Sequence, residues 1–283
     1  ELRVFRQQKG RIYPMKKVLK GGTVVSGDGC KKADVLVEDG KIGAVAPEIT
    51  DEEAEVVDVS GKLLFPGFID AHTHFDLHVS GTVTADNFET GTKAALSGGT
   101  TMIIDFATQY KGESLHKALE HWHEKADGNA SCDYGFHLAI SDWNAEISEE
   151  LKQIVDEGVT SFKIYMTYDD MVLDDKSIYQ VLKRLKEVGG IAGVHCENKG
   201  IIEALTEEEK AKGHLTTDAH PKTRPAVVEA EAISRLLKIA DLVHTPVIIV
   251  HLSSGAGYQE VKYARERGQE VILETCPQYL LLD

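Results

Sequence analysis

From Pro66 onward the chain repeats one pattern roughly every 30 residues: a short apolar run, a turn, then an amphipathic stretch. This pattern constrains the fold more than any other feature, because apolar runs separated by helical stretches form βαβ units and a parallel sheet with helices covering it. The candidate strands are GFIDAHTH, TTMIIDFA, CDYGFHLAI, SFKIYMTY, IAGVHCEN, PVIIVHLS and EVILETCP. The helices between them include FETGTKAALSGG, ESLHKALEHWHEKADG, ISEELKQIVDEG, DKSIYQVLKRLKEVGG and AVVEAEAISRLLKIADLV, several of which close on Gly. An open doubly wound sheet would carry a Gly-rich phosphate loop after its first strand, and here that place holds histidines. The expected fold is therefore α/β, a (β/α)8 TIM-like barrel. At about 250 residues such a barrel runs past Asp283, so strands one to seven are expected here, with unpaired edges on the first and seventh.

Residues 1–14 show no clear period and read as a leader or upstream extension, with Met15 as a natural start. Residues 15–65 carry short β-type runs, VLKGGTVVS, ADVLVEDG, KIGAVA and AEVVDV, broken by Gly, Asp and Pro, and form a small all-β unit; residues 66–283 are the barrel. The formal net charge of -15 repels phosphate backbones and anionic membrane surfaces, which argues against nucleic acid or membrane as partner. No apolar run reaches the roughly 18 residues of a membrane span and no signal-peptide core is visible, so the cytoplasm is the expected location. The four cysteines are far apart with no CxxC pair, and read as reduced thiols.

The chemistry-bearing residues sit at strand ends. The first candidate strand closes on His72-Thr73-His74, and alternate strand residues share a face, about 6 to 7 Å apart, so both imidazoles can turn toward one metal. An HxH triplet is equally compatible with surface or hydrogen-bonded histidines. Its position at the C-terminal rim of a barrel strand, where active sites of this fold lie, favours the metal reading. His195 in IAGVHCEN and His251 in VIIVHLS repeat that placement, whereas His116, His121, His123, His214, His220 and His244 fall in helices or loops. Burying four unpartnered imidazoles at three strand tips would cost free energy, so packing alone explains them poorly. His137, inside an apolar strand, reads as a satisfied core histidine, and His78 as an exposed one. Lys163 lies within a strand buried on both faces, so its amine either reaches the rim, pairs with a carboxylate, loses its proton, or is modified. A neutral amine can add carbon dioxide to give an anionic carbamate able to bridge two cations.

The ordered segments GFIDAHTHFD, GTVTADNFETGTKAALSGGTTMIIDFATQ, FKIYMTY, GVHCEN, VIIVHLSSGAG and ETCPQYLLLD resemble successive landmarks of the D-hydantoinase and dihydropyrimidinase family, over about Lys16 to Asp283. That resemblance implies a (β/α)8 barrel beside a small β-sandwich to which both chain ends contribute. It implies two divalent metals, commonly zinc, with manganese and cobalt also suited to such ligands. By the same resemblance, His72 and His74 match the ligands of the more buried metal, Lys163 the N6-carboxylated bridge, and His195 and His251 the ligands of the second metal. Tyr168 matches the tyrosine that holds substrate and stabilises its oxyanion. The family's sixth ligand, an aspartate ending the eighth strand, would lie beyond Asp283. One departure is local: where many relatives continue with an apolar residue, Pro and a Phe-Gly-Gly-like turn, this chain reads Asp76-Leu77-His78-Val79-Ser80-Gly81, bordering the expected pocket for ring substituents.

The implied reaction is hydrolytic opening of a cyclic ureide, a hydantoin or dihydropyrimidine, to an N-carbamoyl amino acid, by a homotetramer. Dihydroorotases place an arginine two residues after the second histidine, where this chain has Asp76, a carboxylate that would repel an acidic substrate. Allantoinase is the nearer rival, and the FDL and TADNFETGT stretches favour the hydantoinase branch over it. A non-catalytic alternative is a scaffold like the collapsin response mediator proteins, which share the fold without the metal ligands; the five ligand positions kept here argue for the enzyme.

Overall fold

The computed structural model describes residues 16–79 and 81–282; the leader expected over residues 1–14 lies outside them. Each of the seven candidate strands forms, as Phe68–Thr73, Thr100–Thr108, Asp133–Ala139, Ser161–Tyr165, Ile191–His195, Val247–Ile249 and Val271–Leu273. They make one sheet, hydrogen-bonded in strict sequence order and parallel throughout. Sequential order decides between the two architectures. A doubly wound sheet reverses direction at a switch point, whereas right-handed crossovers that never reverse place every helix on one face and curl the sheet into a barrel. The curl is visible in a single contact: His72 on the first strand and Glu274 just past the seventh are 2.7 Å apart, although their strands occupy opposite ends of the order. The architecture is thus a partial (β/α)8 barrel.

The helices cover the outer face for local reasons. Phe88–Ser97, Leu115–Ala126, Ala145–Asp156, Asp175–Val188, Lys199–Ala211 and Gly255–Glu266 each start at a side chain that accepts a first-turn N–H: Asn87, Ser114, Asn144, Asp174, Asn198 and Ser254. Their buried stripes, such as Ile178, Val181, Leu182 and Leu185, pack onto outward strand residues including Phe162 and Ile164 to form one continuous core. Alternation then leaves Lys163 and Tyr165 pointing inward on the same strand. The helices Lys199–Ala211 and Gly255–Glu266 are not among those singled out from the pattern; their cap residues are the signal that marks them.

Upstream, Lys41–Ala46, Asp34–Glu38, Lys17–Lys20 and Glu55–Asp58 form one sheet in that order, and Gly29–Lys32, Thr23–Ser26 and Leu63–Leu64 form another. Among the described residues the first and seventh barrel strands have one neighbour each, and on the first Phe68 and Ile69 are more than half exposed.

One glycine fixes how closely a helix approaches the site. A Cβ at Gly91 would stand 2.4 Å from Phe75 Cε1 and Cζ, the ring that follows His74. Alanine in a helix interior normally gains about 1 kcal/mol over glycine. Here overpacking outweighs that gain, so Gly91→Ala is expected to lower stability by about 1 to 3 kcal/mol, read from the urea midpoint at unchanged slope. A stabilised variant would show that Phe75 yields freely.

Candidate active site at the C-terminal rim of the barrel

The strand tips gather the predicted residues into one group. His72 and His74 ring centroids are 5.2 Å apart, His72 and His251 5.3 Å, and His195 and His251 4.6 Å. Lys163 Nζ lies 3.4 Å from His251 Nε2, and the Tyr168 ring is 5.1 Å from that of His195. Phe106 forms the apolar floor, 4.6 Å from His72 and 4.8 Å from His74 by ring centroid, with Lys163 Nζ 5.1 Å above it. Residues spread from the first strand to the turn after the sixth thus converge, because each lies in a barrel strand or in the turn that follows it at the C-terminal rim.

His137 stands apart in role. Its Nδ1 pairs with Ser161 Oγ at 2.5 Å and its Nε2 with the Ala71 carbonyl at 2.9 Å, so both ring nitrogens are satisfied. His78 is exposed in the short hairpin His78–Val79/Thr82–Val83.

Burial governs the electrostatics. The Lys163 amine is fully buried, and desolvation pulls its pKa down to about 7, a range where the neutral amine is well populated. Burial, reinforced by the Lys163 charge, lowers His74 to about 3 and His251 to about 2, and burial also lowers His195. These three imidazoles are therefore neutral near pH 7, with a lone pair on one nitrogen. Burial, then the nearby Glu197 carboxylate, raises the Tyr168 phenol, which keeps its proton. Tyr168 also holds a left-handed backbone, φ 69°, unusual for a bulky residue and of the kind found at functional loops.

Three carboxylates absent from the sequence reading organise this group. Glu197 accepts from His195 Nε2 at 2.8 Å and pairs with Arg224 at 3.4 Å. Burial opposes it, yet the His195 hydrogen bond and the Arg224 charge hold its carboxyl below the ordinary value. With Nε2 donating, the Nδ1 of neutral His195 carries the lone pair, and it faces His251 Nε2 at 3.0 Å. Glu274 accepts from His72 Nδ1 and, with the same oxygen, from the His251 backbone N–H at 2.9 Å. Asp105, on the outer face of the second strand, accepts from Thr73 Oγ1, the Phe75 and Phe106 N–H groups and Trp122 Nε1 at 2.8 to 2.9 Å, pinning the turn that carries His74. A legible signal existed: Asp105 in TTMIIDFA and Glu274 in EVILETCP are charged residues inside or directly after apolar runs, the same anomaly that marks Lys163.

Could these residues hold metal? His195 Nδ1 and His251 Nε2 face each other at 3.0 Å, close enough to share a hydrogen bond or to converge on one cation, and His74 Nδ1 is buried without a hydrogen-bond partner. The donor chemistry fits. Among the described residues, however, no group of three or more His, Cys, Asp or Glu side chains has metal-holding geometry. The imidazoles come in pairs, and the amine between them becomes an anionic donor only if modified.

Fold and strand-tip residues together define a class, and comparison with known proteins states it: residues 63–283 match the amidohydrolase family model, and the chain belongs to that family. Within the family the chain is 44% identical to a D-hydantoinase of Geobacillus stearothermophilus over 95% of its own length, and 41% identical to the dihydropyrimidinase of Rattus norvegicus over 92%. The crystal structure of dihydropyrimidinase from Brevibacillus agri NCHU1002 superposes with a TM-score of 0.92 at 45% identity, covering 95% of this chain and 59% of that one. The resemblance drawn from the motifs is borne out. The chain spans 58% of the length of the G. stearothermophilus relative and 52% of the rat one.

Proposed function

We propose that the intact protein is a metal-dependent hydrolase that opens the ring of hydantoins or dihydropyrimidines to N-carbamoyl amino acids. The observation that carries this reading is the convergence of His72, His74, His195 and His251 around the buried amine of Lys163. In it, His72 and His74 would hold one divalent cation, His195 and His251 a second, and Lys163, as its carbamate, would contribute to holding both. Zinc is the expected metal, given neutral imidazole and anionic oxygen donors, with manganese or cobalt as substitutes. When bound, such cations supply Lewis acidity and a nucleophile from water near neutral pH.

The chain's own residues account for the rest. A neutral Lys163 amine adds carbon dioxide and releases one proton, and burial favours that neutral amine. Phe106 walls the base of the site and limits water around the charged groups. Tyr168, kept protonated by burial, donates its hydroxyl to the oxyanion that develops on the scissile carbonyl. Tyr168→Phe is accordingly expected to lower kcat about 100- to 1000-fold with metal content unchanged. An equal loss of metal would assign Tyr168 a structural role instead.

The same reading makes the intact protein a cytoplasmic homotetramer, with residues 15–65 as the N-terminal part of a β-sandwich domain and 66–283 as barrel. Its support is the family membership; among the described residues no helix is long and apolar enough to cross a membrane. The test is metal content and turnover of the intact protein on hydantoin, dihydrouracil, allantoin and dihydroorotate. Two metals per chain with fastest turnover on the first two is the expected result. Preference for allantoin or dihydroorotate would move the substrate to a rival branch, and a stoichiometric lack of metal would leave a scaffold.

A further inference from the structure

Glu274 has no part in the reaction proposed above, yet it joins three strand tips. It sits one residue past the seventh strand, where its backbone is fixed on both sides: its N–H donates to the Ile249 carbonyl at 2.9 Å, and its own carbonyl accepts from Leu252 N–H at 2.8 Å. From that anchored position one carboxylate oxygen, Oε2, accepts from the His72 ring at 2.7 Å and from the His251 backbone N–H at 2.9 Å. An ionised carboxylate in this position can only accept.

Both contacts have chemical consequences. An acceptor at Nδ1 selects the tautomer of neutral His72 that carries its proton there and leaves the lone pair on Nε2. The backbone contact matters because His251 has φ 40°, a left-handed conformation in a non-glycine residue, lying beyond the end of its three-residue strand. A strand that short supplies little register of its own, so the turn needs an external hold.

We propose that Glu274 is a positioning residue: from the seventh strand tip it sets His72 as the Nδ1–H tautomer and fixes the left-handed turn of His251, coupling two histidines of different strands. The metal-linked part of this inference rests on the reading that these histidines bind metal, while the tautomer part does not. Because one oxygen takes both bonds, Glu274→Gln can keep both through its amide oxygen, whereas Glu274→Ala keeps neither.

The experiment has two arms on the intact protein. In the first, metal-free protein carrying 15N-labelled histidine rings is compared by solid-state nitrogen spectra, with the His72 signals assigned from their loss in His72→Gln. Wild type and Glu274→Gln are expected to show His72 protonated at Nδ1, and Glu274→Ala to shift toward the Nε2–H form. An unchanged tautomer in Glu274→Ala overturns the proposal. In the second arm, zinc-loaded proteins meet a chelator. Glu274→Ala is expected to bind zinc about 10- to 100-fold more weakly, with Glu274→Gln lying much nearer wild type. Equal retention in Glu274→Ala overturns the positioning role and leaves the metal reading intact. Wild type that takes up no zinc sinks the metal reading, and the tautomer arm then decides the proposal alone.

Discussion

Lys163→Met is expected to abolish ring opening while leaving the metal-free fold at least as resistant to urea as before. The two halves of that result have separate causes. The Lys163 side chain is fully buried, and its amine meets one imidazole at 3.4 Å and two aromatic rings, those of Phe106 and Tyr165, at 5.1 Å. Among the described residues no carboxylate lies within ion-pair distance, and burial outweighs the more distant charge of Glu274 to bring its pKa to about 7. A group in that position costs stability. Methionine fills nearly the same volume with no charge to desolvate, and replacements of this type are neutral or stabilising by about 1 to 4 kcal/mol. Activity should move the other way, because the proposed carbamate disappears with the amine and takes the shared ligand of both cations with it. A fall of several orders of magnitude in turnover, with metal per chain near zero, is the expected measurement. Retention of two metals per chain in Lys163→Met would contradict the ligand assignment even if activity were lost.

The second large effect concerns Asp105, which touches neither substrate nor any of the histidine rings. Its carboxylate, fully buried, takes four donors from four residues: Thr73, Phe75, Phe106 and Trp122. Burial pushes its carboxyl up from the ordinary value, and the four donors oppose that shift. Asp105→Ala strands all four, two of them in the turn around His74 and one the indole of a fully buried tryptophan. The expected loss is about 3 to 5 kcal/mol, the range for breaking a buried charged network. Asp105→Asn keeps the shape. Oδ2 accepts from both Thr73 and Phe75, so an amide nitrogen there can be met by a rotated Thr73 hydroxyl but leaves the Phe75 N–H facing another donor. A smaller loss, about 1 to 3 kcal/mol, follows. Unfolding in urea orders the three proteins, and any order other than wild type, Asn, Ala from most to least stable contradicts this account. Turnover should fall in the same order, since Thr73 and Phe75 flank His74.

These two residues show how far the sequence could be read. Lys163 is conspicuous because a charge inside SFKIYMTY breaks an apolar run, and the four histidines are conspicuous because each closes an apolar run, His72 and His74 on one face by alternation. Asp105 breaks TTMIIDFA in the same way and passed unnoticed, since a single charge does not say on which face of the sheet it lies. Its partners do: it faces Trp122 on an outer helix and the turn at Thr73, each brought near by a different packing contact. Glu197 and Glu274 escaped for a related reason. A carboxylate beside a histidine in sequence, as in HCEN, is no more suggestive than most, and the partner of Glu274 is His72, 202 residues away.

The sequence by itself determined the seven strands, the sequence positions of most helices, and the inward direction of His72, His74, Lys163 and His195, because period and alternation act over a few residues and are written locally, whereas His251 is turned inward by a left-handed residue past its strand. Only the tertiary structure decided that the sheet curls until the first and seventh strand tips touch, and which carboxylate holds which imidazole. Curl accumulates from the twist and one-sided helix packing of the whole sheet, and a hydrogen bond across that closure depends on a separation in space that no local stretch of residues encodes.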